Sequence, residues 1–296
     1  LPKYFFFNLS AQAESKYSLS MSKISVADIQ KLREISGAGM MDCKKALEES
    51  EGDFEGAQDY LRKKGIAKAA KREDREAKEG VVIAQTNANQ TRGVVVAVNC
   101  ETDFVARNEN FINMTQKIAD IALENFPETA EALLALPYEG KVTVGEKIGE
   151  QNGIIGEKVE LSSYSPVTGA QLLTYNHSNN KRSVIVALNL RQNEFEQAGR
   201  DVAMQIAAMN PVAVSKEDVD QTIIEKEIEI GKELARNEGK SEEMLEKIAL
   251  GRLNKFFQEN TLLSQKFVKN GEVTVQQHLH SLNKELTVVS FKHIAL

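Results

Sequence analysis

The chain has 296 residues, 42% of them apolar and 27% charged with both signs mixed, and a formal net charge of −6. That length accommodates two or three compact units, and the acidic balance speaks against a dedicated nucleic-acid binder, whose affinity comes from basic groups meeting phosphates. Cys43 and Cys100 offer neither a disulfide framework nor a zinc-type spacing, which suits a reducing compartment, and no apolar run approaches the ~20 residues that span a bilayer.

Residues 1–20 hold an aromatic cluster, Tyr4–Phe7, and a Ser-rich stretch before Met21-Ser22-Lys23. Met21 reads as a start, which makes 1–22 an upstream or disordered extension. An organelle transit segment is the rival reading, but such segments are Arg-rich and 1–20 contains no Arg. The span 23–66 predicts three short helices. Ser25 with Asp28 forms a capping-box pattern, and Val26, Ile29 and Leu32 recur on one face. Gly37-Ala38-Gly39 breaks the first helix. Met40, Cys43 and Leu47 give the second an apolar stripe, and Phe54, Ala57 and Leu61 point the third inward until Gly65 stops it. Residues 67–79 have nearly balanced charge and predict a solvated helix or linker rather than a basic binding arm.

Beyond that the texture turns to strands. Val81–Thr86 and Val94–Asn99 form a hairpin signal, followed by the loop Cys100–Val105 and a helix with Phe111, Met114, Ile118 and Ile121 on one side. The order returns at Val184–Asn189, a polar loop, and a helix through Val202, Ile206 and Met209. VVVAVN and VIVALN are near copies, so two related α+β halves are expected, over 80–158 and 159–214. Gly140–Gly156 reads as turn-rich, and Val159–Tyr164 and Leu172–Tyr175 as strands of the second sheet. Across 215–260, Ser215 with Asp218 caps a long helix carrying Val219, Ile223, Ile230 and Leu234. After Asn237-Glu238-Gly239, a return helix follows with Leu245, Ile248, Leu253 and Phe256. These make an antiparallel hairpin whose tip projects into solvent, because two helices bury one seam. Residues 261–296 complete the second half with a helix capped by Thr274 and Gln277 and a strand near Leu286–Phe291. The expected class is α+β.

No enzyme is visible in the pattern. The four histidines are scattered, and there is no Gly-rich phosphate loop, no GxSxG elbow and no His near either cysteine. Phe104 is the residue that asks for an account. A large apolar side chain between a buried strand and a helix either folds back into its own core, which spacing alone favours, or stands out as a wedge for a partner.

Gly37–Leu47 with Gly52-Asp53 resembles the N-terminal domain of the elongation factor Ts family, and Asn99–Ala106 resembles that family's second signature. Similarity continues through Val202–Ala208, Asn210-Pro211, Glu225-Lys226-Glu227, Gly251-Arg252 and Gln265–Val268, covering 23–293 in order. The resemblance implies a ubiquitin-associated-like three-helix domain, duplicated core subdomains and a protruding helical hairpin. It implies nucleotide exchange on elongation factor Tu, in both its GDP-bound and nucleotide-free forms, with no covalent chemistry. No cofactor of its own is expected, because the GDP and Mg²⁺ concerned belong to the partner. Neither a membrane nor a nucleic acid is expected as a partner, and the implied location is bacterial cytoplasm, or an organelle matrix if 1–20 is a transit segment. The Mg²⁺-dislocating loop would be Thr102, Asp103, Phe104 and Val105, and Gly39, Met40, Met41, Asp42, Cys43 and Lys44 would contact the same partner. Two departures matter. The second loop, Arg191–Phe195, lacks the Thr-Asp-Phe-Val pattern, and a C-terminal helix found in some members has no counterpart up to Leu296. A ubiquitin-associated-like binding module without exchange activity is the alternative, and it has no use for the Thr102–Val105 loop.

Overall fold

The computed structural model describes residues 24–70, 72 and 74–296, so the expected extension at 1–22 lies outside the described residues. Three helices come first, α1 (Val26–Ser36), α2 (Met40–Glu49) and α3 (Phe54–Ala70). Strands β1 (Glu79–Thr86) and β2 (Arg92–Cys100) precede α4 (Asp103–Ala106), α5 (Glu109–Asn125) and α6 (Ala130–Ala135). A ribbon of β3 (Pro137–Glu139) and β4 (Val142–Thr143) leads into α7 (Val144–Ile155), then β5 (Glu160–Thr168), β6 (Gln171–Asn176) and β7 (Arg182–Leu188). Helices α8 (Glu196–Met209), α9 (Gln221–Asn237) and α10 (Glu242–Asn260) follow, with β8 (Lys266–Phe267), β9 (Asn270–Thr274), α11 (Val275–Leu282) and β10 (Val288–Ala295) after them. Mixed helix and strand of this kind is α+β. Among the described residues, no helix is long and apolar enough to cross a membrane.

The chain forms two compact units, one from the segment up to Arg75 with Glu146–Lys158, the other from Glu76–Gly145 with Val159–Leu296. In the first, the Ser25 capping box forms: Asp28 N–H donates to Ser25 Oγ and Ser25 N–H to Asp28 Oδ2, both at 3.1 Å. Gly37, at φ 68°, ends α1 in a left-handed conformation that a residue without Cβ adopts freely. Ile29, Leu32, Cys43, Ala46, Leu47, Ala57 and Leu61 share one core, joined by Ile154 from α7, while Val26 turns outward.

Two expectations fail here for one reason. Gly65 does not stop α3, which runs on to Ala70, into the segment expected as a solvated helix or linker. The turn-rich reading of Gly140–Gly156 also gives way, because most of it is α7. Gly145, Gly149 and Gly153 recur every fourth residue and so share a helix face. A Cβ on Gly65 would sit 2.7 Å from the Gly149 carbonyl oxygen, and one on Gly153 would sit 2.8 Å from Gly65 Cα. These glycines permit close helix approach rather than breaks.

In the second unit, two three-stranded antiparallel sheets run β1-β2-β5 and β10-β7-β6. Residue parity divides each sheet into two faces. Val82, Ala84, Val95 and Ala97 of the first meet Leu172, Ile185 and Ala187 of the second in a shared core. The other face of the second sheet, with Leu173, Val184, Val186 and Leu188, packs on α8 and α11 residues, and α5 packs on β1 and β2. The sequence put the strand near 159–164 in the second sheet, but β5 completes the first, with Arg92 opposite Thr168. The cause lies in β2, which is buried at every position from Gly93 to Cys100. Such a strand needs hydrogen-bond partners along both edges.

The long helices α9 and α10 pair as expected, with differences at the start and along the seam. Ser215 and Asp218 do close a capping box, but on a single 3-10 turn; α9 begins at Gln221 under Asp220, which accepts from Thr222 N–H at 2.8 Å. Gly231, Ala235, Leu245, Ala249 and Leu253 are buried, whereas Ile230 and Leu234 are 38% and 43% exposed. Small residues let the axes approach closely, so the large ones are turned aside.

Gly65→Val would force a branched side chain into the Gly149 carbonyl, and overpacking of this kind costs about 1–3 kcal/mol. The substitution should lower the melting temperature in calorimetry of the full chain. An unchanged melting curve would argue against the close α3–α7 contact.

Candidate functional site

The turn after β2 is built by two helix starts in quick succession. Cys100 is fully buried, and its thiol donates to the Thr102 carbonyl at 3.2 Å. Thr102, extended at φ −122° and ψ 152°, caps α4, and its hydroxyl accepts from Val105 N–H at 3.4 Å. Arg107 N–H donates to Asp103 O and Asn108 N–H to Val105 O, which ends α4 after one turn. Asn108 at once caps α5, accepting from Asn110 N–H at 2.9 Å. Consecutive caps leave the backbone few alternatives, since Thr and Asn offer side-chain acceptors where free amides would otherwise need water.

Helix geometry then sets the side chains. Residues two apart on a helix differ by about 200°. Ala106 is 6% exposed and anchors α4 inward, so Phe104 faces the opposite way at 85% exposed. The reading that Phe104 folds back into its own core is therefore overturned. Asp103 pairs with Arg107 at 3.0 Å across one turn, an exposed ion pair worth at most about 1 kcal/mol. A shallow cleft beside the turn is lined by Asp103, Ala106, Arg107, Ile112 and the segment Ser178–Lys181.

The second half gives the contrast. After β7 the chain makes a 3-10 turn, Asn193–Phe195, and Phe195 is 1% exposed in the core with Leu173, Val202 and Ile206. The same strand–loop–helix plan sends one Phe in and the other out.

The six expected contact residues of the first unit fall into two groups. Gly39 caps α2 without a side chain, and Met40 and Met41 on its first turn are 44% and 75% exposed. Lys44 is exposed beside Glu48 at 3.7 Å. Cys43, in contrast, is fully buried and donates to the Ala38 carbonyl. Asp42 holds Lys64 at 2.7 Å. Those two build the unit, and the methionines and Lys44 are what it presents. The separation follows from the α2 stripe itself, because Cys43 shares a face with Ala46 and Leu47.

Three of the four histidines have partners within the fold. His177 meets Tyr175 Oη at 2.8 Å, His293 meets Asn210 Oδ1 at 2.9 Å, and His278 stacks on Phe267 at 4.2 Å between centroids. Burial holds the pKa of His278 and of His293 below the ordinary imidazole value. Among the described residues, no three His, Cys, Asp or Glu side chains gather in a metal-binding group.

Comparison with known proteins shows the family. A family model described as Elongation factor TS matches residues 101–296. Elongation factor Ts of Cytophaga hutchinsonii is 50% identical over 277 residues, covering 93% of this chain and all of the relative. The protein of that name from Flavobacterium psychrophilum is 49% identical over 276 residues, with coverage of 93% and 100%. That of Porphyromonas gingivalis strain W83 is 49% identical over 273 residues, covering 92% of this chain and 98% of its own.

Truncating the two phenylalanines should separate their roles. Phe195→Ala removes a buried ring and should cost about 3–5 kcal/mol, whereas Phe104→Ala should shift stability by no more than ~0.5 kcal/mol. Urea unfolding of both variants measures this. A large loss at Phe104 would mean that its ring packs on the protein after all.

Proposed function

The chain belongs to the elongation factor Ts family, and from that premise we propose that Phe104 is the wedge through which it acts on elongation factor Tu. Its function is guanine nucleotide exchange in translation elongation: it accelerates GDP loss from that partner so that GTP can bind. No bond is made or broken in the process. The observation that carries the assignment is an aromatic ring 85% exposed on a doubly capped turn.

Physical chemistry connects that ring to exchange. Burying a Phe side chain in a partner is worth about 1.5–3 kcal/mol, energy available only in the complex. A ring inserted between helices that support the partner's Mg²⁺ would spend it on displacing them. Mg²⁺ holds near-octahedral oxygens at about 2.0–2.1 Å, so small displacements weaken it sharply. Without the ion the diphosphate charge is uncompensated and GDP departs faster. The coupling is reciprocal, since GDP weakens binding of the factor by the same ratio. Thr102 holds the turn, Asp103 braces it through Arg107, and Val105 continues its half-buried side. The nucleotide and the metal are the partner's, and this chain brings no cofactor of its own. Binding would span the GDP-bound and nucleotide-free states, with no membrane or nucleic acid involved, in the cytoplasm of a bacterial cell.

The remaining parts fit the same reading. Helices α1–α3 would form a ubiquitin-associated-like domain that touches the partner through Met40, Met41 and Lys44. The two sheet-and-helix halves would be a duplication in which the first alone keeps the wedge. The α9–α10 hairpin would protrude and add a further contact. A binding module without exchange activity leaves the Thr102–Val105 turn without a purpose.

Release of a fluorescent GDP analogue from elongation factor Tu tests the wedge. The unmodified chain should accelerate release, and Phe104→Ala should cut the acceleration about tenfold, equivalent to ~1.4 kcal/mol. Equal rates for both would move the mechanism to other contacts, and no acceleration by the unmodified chain would remove the function. Deleting Asn237–Lys240 at the hairpin turn should weaken complex formation in a pull-down titration while cooperative melting persists. Loss of cooperative melting would mean that the hairpin is part of the core.

A further inference from the structure

An outer sheet strand leaves a row of backbone groups without ladder partners. The free edge of β1 is met by the β6–β7 hairpin of the second half. Val82 N–H donates to Asn180 O at 2.7 Å, Ala84 N–H to Asn176 Oδ1 at 2.8 Å, and Asn176 Nδ2 to Ala84 O at 2.9 Å. Ser183 Oγ donates to Val82 O at 2.8 Å. These bonds satisfy Val82 and Ala84 on that edge. Lys181 does something else. Its ammonium faces the Glu79 carboxylate at 2.5 Å, each side chain about 30% exposed, and this pair satisfies no backbone group.

Its location gives the pair a consequence. Glu79 stands directly opposite Cys100 in the β1–β2 ladder, and Cys100 anchors Thr102, the cap of α4. Ser178–Lys181 also lines the same cleft as Asp103, Ala106 and Arg107. The second half is thereby tied by an ion pair to the residue pair from which the Phe104 turn departs.

We propose that Lys181, through Glu79, is a positioning residue for the Phe104 turn, so that the half lacking its own wedge holds the other half's wedge in place. The proposal rests on the exchange reading above for its functional effect, but not for its structural one. Lys181 touches neither nucleotide nor metal; it restricts the wedge before the partner arrives. Losing it widens the range of orientations Phe104 samples, so the cost falls on maximal acceleration rather than on the concentration of factor needed to reach it.

Two measurements on the full chain decide it. The first is hydrogen exchange of the Ala106, Arg107 and Asn108 amides, which donate to Thr102 O, Asp103 O and Val105 O. Lys181→Met should speed their exchange several-fold and leave the α8 amides unchanged, and Lys181→Arg should restore slow exchange. The second is GDP-analogue release. Lys181→Met should lower maximal acceleration about threefold, a size suited to a partly exposed ion pair, with no further loss when combined with Phe104→Ala. Unchanged amides in Lys181→Met, or a full threefold loss persisting in the Phe104→Ala background, would overturn the positioning role. If the unmodified chain fails to accelerate release, the exchange reading falls while the amides still decide whether Lys181 orders the turn.

Discussion

Everything in the larger unit depends on two sheets sharing one apolar face. Each has three strands and a helix on its outer side, which leaves the inner side bare unless the other sheet covers it. Val82, Ala84, Val95 and Ala97 on one side, with Leu172, Ile185 and Ala187 on the other, provide that cover. Neither half could bury its apolar surface alone. The shared core lies directly beneath the strand from whose end the Phe104 turn departs. A wedge can deform a partner only if its own base yields less than the target.

The two sheets differ in the turn that follows the central strand. After β2, a Thr cap and an Asn cap six residues apart insert one extra helical turn before α5. After β7 the chain makes only a 3-10 turn before α8. Without the extra turn, Phe195 drops into the core; with it, Ala106 takes the inward position and Phe104 is carried out. The difference in exposure between Phe104 and Phe195 is thus a matter of helical phase. The same residue type has opposite fates because one turn of backbone rotates it.

Most of the architecture was legible in the sequence because it is written in local patterns. The Ser25 and Thr274 capping boxes, the Gly37 break, the repeated strand and the long helical pair all announce themselves by spacing. What was not legible depends on distant partners. Gly149 and Gly153 look like turn residues until Gly65 is seen to lie against them. Nothing local assigns β5 to one sheet rather than the other; the burial of β2 along both edges does. Exposure of Ile230 and Leu234 follows from Gly231 and Ala249 setting a close helix crossing, which apolar periodicity alone does not register. At the site, spacing favoured a buried Phe104, and only resemblance to a family pointed outward. The back-to-back caps at Thr102 and Asn108 were the available physical signal, since they imply a helical turn too short to bury more than one side chain.

The glycine-lined contact between α3 and α7 has a temporal meaning. Helices α1–α3 are synthesised before α7, yet their core is closed by Ile154, and Arg72 finds the Asn152 carbonyl 80 residues further along. Long-range closure of this kind is slow compared with forming the helices themselves. Until α7 has been made, the α1–α3 core lacks Ile154. The smaller unit is complete only after β1 through β4 have been made, so the order in which its parts are synthesised is not the order in which its core closes.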